Sequence, residues 1–352
     1  MSNDWTLVTG ASGFVGSELV RQLVERGERV KAFVRAGSSL RRLQRYPKDR
    51  LQIVFGDITV EHTVYRALAS CSRLYHVASN FSMWARDPAT ILVPAIEGTR
   101  ATLEAARKRG LERVVVTSSV AALGKARAPE PFDETHPFDL TDPETYILSK
   151  RKAEDVAIEY AERGQPIVIV QPSAIYGPGD WKPTPSGGAV VRYLETSPRM
   201  RLPWIPGGLS VVDVEDVARG HVLAMQRGRV GEAYALAGEN VEYRRLIEIL
   251  SEITGLAPPG GELGPGIVAL AGQAMELSAR VFGGEPQLTR RLARDYYGGY
   301  TWVSSAKAER ELGYEHRPAY DALERSVRWY LSNGYVSERA SARLRFLPRL
   351  AA

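Results

Sequence analysis

Tyr146 and Lys150 stand four residues apart in Tyr146-Ile147-Leu148-Ser149-Lys150, at the start of a segment where Ala153, Val156, Ala157 and Tyr160 recur at helical spacing. Residues four apart lie one turn apart on the same helix face, so the phenol and the ammonium are neighbours. A phenol titrates near 10 in water, and a nearby cation favours the phenolate. A depression of about 3 units, worth about 4 kcal/mol, would bring the group near working pH, where general acid–base catalysis is most effective. For an isolated match of this spacing, a half-buried surface pair is the plain alternative. The match is not isolated. Upstream, Val114–Val116 reads as a strand that ends in the hydroxyl cluster Thr117-Ser118-Ser119. Ligands of open α/β sheets bind beyond the carboxyl ends of strands. A serine there can hydrogen-bond a substrate oxygen while the tyrosine exchanges its proton.

A second segment is built to hold phosphate. Residues 5–9, Trp-Thr-Leu-Val-Thr, read as a short buried strand that runs directly into Gly10-Ala11-Ser12-Gly13-Phe14-Val15-Gly16. Phe14, Val15, Leu19, Val20, Leu23 and Val24 then recur at helical spacing, and Gly27 sits where a helix stops. The first amides of a helix lack partners and carry positive partial charge, so a pyrophosphate binds there, and glycines let it approach a tight turn. Gly10, Ser12, Gly13, Phe14, Val15 and Gly16 are therefore the expected pyrophosphate site of a dinucleotide. The end of the second strand (Val30, Ala32, Val34) discriminates between cofactors. A carboxylate there would hold the ribose 2′-hydroxyl of NAD, whereas an arginine favours the 2′-phosphate of NADP. The residue is Arg35, with Arg41 and Arg42 able to assist and no carboxylate before Asp49. The expected cofactor is NADP(H), with NAD(H) the second choice and a merely solvated arginine the bland reading.

The elements that must position these groups follow from the chain order. Leu51, Ile53 and Phe55 alternate as a third strand; Leu74–Ala78, Val114–Val116 and Ile167–Val170 read as the fourth, fifth and sixth. Helical segments near 61–69 and 89–109 lie between them. Strands alternating with helices imply right-handed βαβ units, hence an α/β fold with a Rossmann-type, doubly wound parallel sheet. After about residue 172 Pro and Gly punctuate the chain, and helical patterns dominate from 214 onward. That half is expected to form a smaller, mostly helical C-terminal substrate lobe. The expected division is 1–172 for nucleotide binding with a return segment near 209–230, an interleaved lobe over 173–336, and a basic tail over 337–352.

Composition narrows the class. A chain of 352 residues makes one large domain or two coupled ones. With 44% hydrophobic and 25% charged residues, wholesale disorder is excluded. No apolar run approaches the length of a membrane-spanning helix, and the N-terminus carries no signal-peptide pattern. Cys71 is the only cysteine, so no internal disulfide forms, and a reducing cytoplasm is the expected compartment. Five scattered histidines and one cysteine offer no metal cluster, and no metal is expected. A net charge of +5, spread along the chain, reads as a solvated surface rather than a nucleic-acid footprint.

Together with further segments these motifs resemble the extended short-chain dehydrogenases/reductases of the NAD-dependent epimerase/dehydratase superfamily, over nearly the whole chain. The segments are Thr9–Gly16, Gly56-Asp57-Ile58, His76-Val77-Ala78-Ser79, Thr117–Ser119, Tyr146-x-x-x-Lys150, Gln171–Gly179 and Ala308–Tyr314. The resemblance implies that Asp57 and Ile58 flank the adenine and that Val77, Ala78 and Ser79 lie near the pyrophosphate and ribose. It places Pro172, Ser173, Ala174 and Ile175 at the nicotinamide and counts Thr117 among the cofactor contacts. It further implies that Ser119 is the catalytic serine, that Tyr146 is the acid/base, and that Lys150 binds the nicotinamide ribose and tunes the tyrosine. Pro94–Thr99 is similar to the dihydroflavonol 4-reductase and cinnamoyl-CoA reductase branch. Met83–Pro88 and Pro178–Pro185 are similar to bacterial dihydroflavonol-reductase-like proteins and to hopanoid-associated sugar epimerases. Where sugar-nucleotide members commonly have asparagine, arginine and histidine, this chain has Ala95, Gln171 and Asp213.

The leading expectation is an NADP(H)-dependent oxidoreductase that interconverts a ketone or aldehyde with an alcohol. The alternatives are a sugar-nucleotide epimerase or dehydratase using the same serine, tyrosine and lysine, and, within the leading class, a 3β-hydroxysteroid or sterol-type dehydrogenase. A non-catalytic cofactor sensor is disfavoured by the intact Tyr146 and Lys150. The substrate is expected to be largely apolar, because Phe81, Met83, Trp84 and Trp181 fall in loops at the rim of the cleft. The segment Gly264–Pro286 is expected to lie over it, since Ile267, Leu270, Ala271, Ala274, Leu277, Ala279, Val281 and Phe282 cover more than one helix face. Core or subunit interface is the plain alternative for that face. A homodimer is a family expectation. The tail interleaves Arg343 and Arg345 with Leu344, Phe346, Leu347 and Leu350; at most a weak membrane-surface contact is expected of it, against a packed or frayed end.

Overall fold

A strand covered on both faces reads as a largely apolar run, and the first and sixth strands are of that kind: all five residues of Trp5–Thr9 and all six of Ile167–Pro172 are buried, with only Thr6, Thr9 and Gln171 polar. The structure, a computed structural model, describes residues 4–79, 85–284, 286 and 288–345. In chain order the first half runs β1 (Trp5–Thr9), α1 (Phe14–Glu25), β2 (Val30–Val34), β3 (Leu51–Phe55), α2 (Glu61–Ala67), β4 (Cys71–His76), α3 (Ala89–Arg109), β5 (Arg113–Thr117), α4 (Thr145–Glu162) and β6 (Ile167–Pro172). The second half runs β7 (Ala174–Tyr176), α5 (Pro185–Glu195), β8 (Gly207–Asp213), α6 (Val214–Arg227), β9 (Ala233–Leu236), β10 (Glu239–Glu242), α7 (Tyr243–Thr254), α8 (Pro265–Phe282), α9 (Arg290–Tyr296), β11 (Gly299–Thr301), α10 (Ala306–Leu312), α11 (Ala319–Ser332) and α12 (Glu338–Ser341).

Seven strands pair in the order β3-β2-β1-β4-β5-β6-β9, every neighbouring pair parallel. The fold is thus the Rossmann-type α/β sheet with helices on both faces. Leu19, Val20 and Leu23 of α1 join Ala218, Val222 and Met225 of α6 in the core under one face. Leu103 and Ala106 of α3 join Val156 and Ala157 of α4 under the other. The strand order reverses between β1 and β4, which opens a crevice at their carboxyl ends, where ligands of such sheets bind. β4 occupies Cys71–His76 rather than Leu74–Ala78, because its pairing with β1 ends at Thr9↔His76, where β1 gives way to the glycine turn. Val77 and Ala78 are thereby released to face that turn. β9 is an unanticipated seventh strand.

The chain leaves the main sheet after β6, forms a second one, and comes back. In the second sheet β8 pairs antiparallel with β10 and parallel with both β7 and β11. Tyr193, Leu250, Leu323, Val327 and Tyr330 from α5, α7 and α11 build a third core against it. α6 then packs against α1, and β9 joins the outer edge of β6.

α8 carries an exposed apolar face. Its Val268 and Ala279 are buried, but Ile267, Leu270, Leu277 and Val281 are more than half exposed and Phe282 is 86% exposed. The helix approaches its neighbour through small residues: a Cβ on Gly272 would lie 2.8 Å from the carbonyl oxygen of Thr289. The large apolar side chains consequently point away from that contact. Phe81, Met83 and Trp84, and Phe346, Leu347 and Leu350 of the tail, lie outside the described residues. Among the described residues no helix is long and apolar enough to cross a membrane.

Candidate active site

The turn between β1 and α1 is closed to side chains. Gly10 has φ +67°, and a Cβ on it would meet the backbone of Ala78 at 2.8 Å. A Cβ on Gly16 would come within 2.1 Å of the Gly10 carbonyl oxygen. Gly13 caps α1 without a side-chain hydrogen bond, and the first turn holds no acidic residue, so the positive end of the helix is uncompensated. Such a side-chain-free turn on a helix N-terminus fits the pyrophosphate of a dinucleotide. Ser12, Phe14 and Val15 lie between the glycines of the same turn. Below it, Ala78 donates its amide to Thr9 Oγ1 (3.2 Å), and Thr9 bonds His76 Nδ1 (2.9 Å). His76 Nε2 lies 3.4 Å from Thr99 Oγ1, whose hydroxyl donates to the Ala95 carbonyl (2.8 Å). Burial pushes the His76 imidazole down to about 4. A neutral ring thus ties β1, β4 and α3 together behind the Val77–Ser79 segment.

Arg35 is exposed at the end of β2. The Asp57 carboxyl is held below its ordinary value by the Thr59 amide and hydroxyl first, with the Arg35 charge assisting. Ile58 packs over Gly98 of α3, where a Cβ would meet it at 2.8 Å. Arg42 donates to Ser17 Oγ on α1 (2.5 Å) and to the Gly179 carbonyl (3.2 Å), which fastens the segment after β2 to the second half of the chain. Arg41 lies over the Trp181 ring at 4.7 Å, and Trp181 meets Trp329 edge-on at 4.9 Å. Trp181, expected at the substrate rim, is therefore packed with the arginine segment.

Ser119 ends the extended stretch after β5 and caps a 3-10 turn over Val120–Leu123, accepting from the Ala121 amide (3.2 Å). Its hydroxyl also faces the Tyr146 phenol at the start of α4 and pulls that group's pKa down. Burial is the larger effect and leaves the phenol above its ordinary value. The expected depression by Lys150 is not what the geometry gives. The Lys150 Nζ is 5.9 Å from the Tyr146 ring centre, and burial lowers the ammonium itself to about 8 against the pull of Glu154. Glu154, one turn beyond Lys150 and 4% exposed, accepts from Gln171 Nε2 of β6 at 2.9 Å. Tyr146, Lys150 and Glu154 thus occupy successive turns of one face of α4. The Thr117 hydroxyl is engaged elsewhere, 2.8 Å from Nε2 of His221 on α6. His221 Nδ1 lies 2.8 Å from the Val217 carbonyl, which fixes Nδ1 as the donor and Nε2 as the acceptor. Pro172 ends β6, Ser173 donates its amide to Leu236 (3.3 Å), and Ala174 and Ile175 open β7 beside β8.

Besides Glu154, a cluster reached through Tyr296 escaped the sequence reading. Tyr296 of α9 is half-buried, and the negative charge that a Tyr146 phenolate would carry helps raise its pKa, after desolvation. The Tyr243 ring lies 6.5 Å from that of Tyr296. Lys125, directly after Gly124, places its Nζ 3.3 Å from the centre of the Tyr296 ring. Glu154 had a signal, because it repeats the four-residue step from Tyr146 to Lys150. Tyr296 had none, since nothing local ties a residue 150 positions later to the tyrosine–lysine motif.

Comparison with known proteins gives concordant results. Residues 6–237 match the family described as "NAD dependent epimerase/dehydratase family". The "Putative dihydroflavonol 4-reductase" of Synechocystis sp. is 36% identical over 343 residues, spanning 95% of this chain and 96% of that protein. "Sterol demethylase protein B" of Methylococcus capsulatus is 32% identical over 343 residues, spanning 94% and 99% respectively. Among solved structures, that of gox2253 superposes with a TM-score of 0.82 at 37% identity, over 95% of this chain and all of that one.

Proposed function

Because this chain belongs to the NAD-dependent epimerase/dehydratase family of extended short-chain dehydrogenases/reductases, we propose that it is an NADP(H)-dependent oxidoreductase that interconverts a largely apolar ketone or aldehyde with its alcohol. The observation that carries this reading is the convergence of the Ser119 hydroxyl and the Tyr146 phenol beside a buried lysine, at the carboxyl ends of β5 and β6. When bound, the dinucleotide supplies or accepts the hydride. Gly10, Ser12, Gly13, Phe14, Val15 and Gly16 hold its pyrophosphate, with Val77, Ala78 and Ser79 on the opposite side of the crevice. Asp57 and Ile58 take the adenine side, and Arg35 binds the 2′-phosphate. Pro172, Ser173, Ala174 and Ile175 line the nicotinamide side, and Thr117 contributes through its backbone, its hydroxyl being held by His221.

The proton path belongs to this chain. Ser119 donates to the substrate oxygen and fixes its position. A Tyr146 phenol with a raised pKa stays protonated at neutral pH and is ready to give its proton to that oxygen. The resulting phenolate is costly in a buried site until the Lys150 ammonium compensates it. Lys150 thus acts both on the ribose hydroxyls and on the tyrosine. The apolar character of the substrate is supported by the Tyr296 ring beside Tyr146, with the rings of Tyr176 and Tyr243 grouped around it, and by relatives named for a dihydroflavonol and a sterol. A panel of carbonyl compounds graded by polarity, followed by NADPH absorbance, tests the reading. Stoichiometric NADPH oxidation with apolar ketones or aldehydes is the expected result. Conversion of nucleotide-sugars alone, with no net NADPH consumed, would replace it with an epimerase.

A further inference from the structure

Lys125 is 6% exposed, and its Nζ has no hydrogen-bond partner among the described residues. The backbone holds it there. Ala126 and Tyr300 exchange two amide–carbonyl bonds of 2.9 Å, which fixes the chain beside β11, and the Lys125 stem runs past Gly299. The ammonium ends 3.3 Å from the centre of the Tyr296 ring, on the residue whose phenol senses the charge of Tyr146. A ring face attracts a cation but accepts none of its three N–H bonds in line. Asp295, buried beside Tyr296, commits Oδ1 to Arg294 Nε at 3.0 Å and leaves Oδ2 without a partner. Its field raises the lysine and that of Arg127 lowers it, while burial, the largest effect, brings the amine down to about 7. A buried ammonium without a hydrogen-bond partner is expensive, and a fold that keeps one against the ring that neighbours Tyr146 has a use for it.

We propose that Lys125 is the receptor for a carboxylate on the substrate, so that the preferred substrate is an apolar keto acid or hydroxy acid rather than a neutral carbonyl compound. This rests on the oxidoreductase reading above, and it adds the chemical group that reading leaves open. One negative charge suits the site. A phosphate dianion would need more than one cation, and the neighbouring Asp295 opposes a second negative charge. Pairing gives the lysine a contacting counter-charge where Asp295 acts only through its field, so the bound carboxylate draws the amine back to its protonated form.

The test uses the NADPH-loaded full chain and matched pairs of aryl keto acids and their methyl esters, with the carboxylate at increasing distance from the ketone. The acid member of at least one pair is expected to be turned over with the higher kcat/KM. Lys125→Met, which keeps the stem and removes the charge, is expected to lower kcat/KM for that acid by about tenfold to a hundredfold and bring the acid-to-ester ratio near one. Lys125→Arg should retain part of the preference. Melting temperature separates this from a structural role, since removing an unpaired buried charge leaves it unchanged or higher. Esters preferred throughout, with the ratio unmoved in Lys125→Met, would overturn the proposal. Calorimetry of the same acids on the NADP⁺-loaded protein distinguishes the two readings. Lys125-dependent binding without turnover would sink the oxidoreductase reading and leave the carboxylate receptor standing; no binding of any acid would sink the receptor.

Discussion

Gln171 donates its side-chain amide to Glu154 across 2.9 Å, tying β6 to the face of α4 that carries Tyr146 and Lys150. A neutral amide stabilises the carboxylate by hydrogen bonding but cancels none of its charge, so that charge remains to act on Lys150 one turn away. The effect on Lys150 is upward, opposing burial, with the ammonium brought to about 8. Glu154→Gln removes the upward pull. The alkaline limb of the pH–kcat/KM profile should then move to lower pH, because Lys150 loses its proton earlier. A limb that stays in place would mean that Glu154 only packs.

Tyr146→Phe should lower kcat by about 10²–10⁴-fold while the dissociation constant for NADPH changes little. The ring and its packing are kept and only the exchangeable proton is lost. Steady-state rates and a fluorescence titration of NADPH measure the two halves. More than about a tenth of the activity surviving would assign the proton to another group.

Arg35→Ala should weaken NADPH binding by about tenfold to a hundredfold and leave NADH binding nearly unchanged, since a charge-assisted contact to phosphate is worth about 1.5–3 kcal/mol. The exposed position of Arg35 makes a folding defect in the variant unexpected. Parallel titrations of both cofactors decide it. Equal loss for both would move the 2′-phosphate contact elsewhere.

His221 makes acid stability readable. Its imidazole is lowered from 6.5 to about 4 by burial, so it is neutral in the folded chain and protonated more readily in the unfolded one. A depressed folded value gives stability that is present above pH 6.5 and lost as the pH falls toward 4. Between pH 7 and pH 5 the loss is about 2 kcal/mol for this one ring. Asp213, raised to about 6 by burial, acts in the opposite sense: its contribution is present at low pH and lost as the pH rises through 6. The comparison must therefore be a difference. Urea unfolding of His221→Gln should show a pH 7-to-5 drop smaller than that of the unaltered chain by about 2 kcal/mol.

The first half of the chain was legible because its signals are local. The helix over 89–109 is bounded by Gly110 in the left-handed conformation, and β1, β2 and β3 coincide with short apolar or alternating segments ended by polar or glycine residues. What could not be read depends on distant partners. β4 stops where β1 turns away, and β9, only Ala233–Leu236, is a strand because β6 has a free edge for it. The shift in Tyr146 needed its burial, which spacing does not contain. The apolar excess of α8 was visible, but its outward direction depends on Gly272 being the side that approaches Thr289.

The return of the chain through α6 and β9 has a consequence for how the protein comes into being. A nascent chain extended only to residue 172 presents β6 as an open edge with unpaired amides and carbonyls, and leaves the apolar side of α1 without α6. Exposed edges of this kind recruit other strands, and contacts between segments some two hundred residues apart form slowly. The glycine turn that fits a pyrophosphate lies at residues 10–16, yet its supporting helix is not covered until the ribosome has passed residue 227. A fragment cut between the lobes should aggregate rather than bind dinucleotide, and binding competence should appear only when Ala233–Leu236 has been added to the sheet.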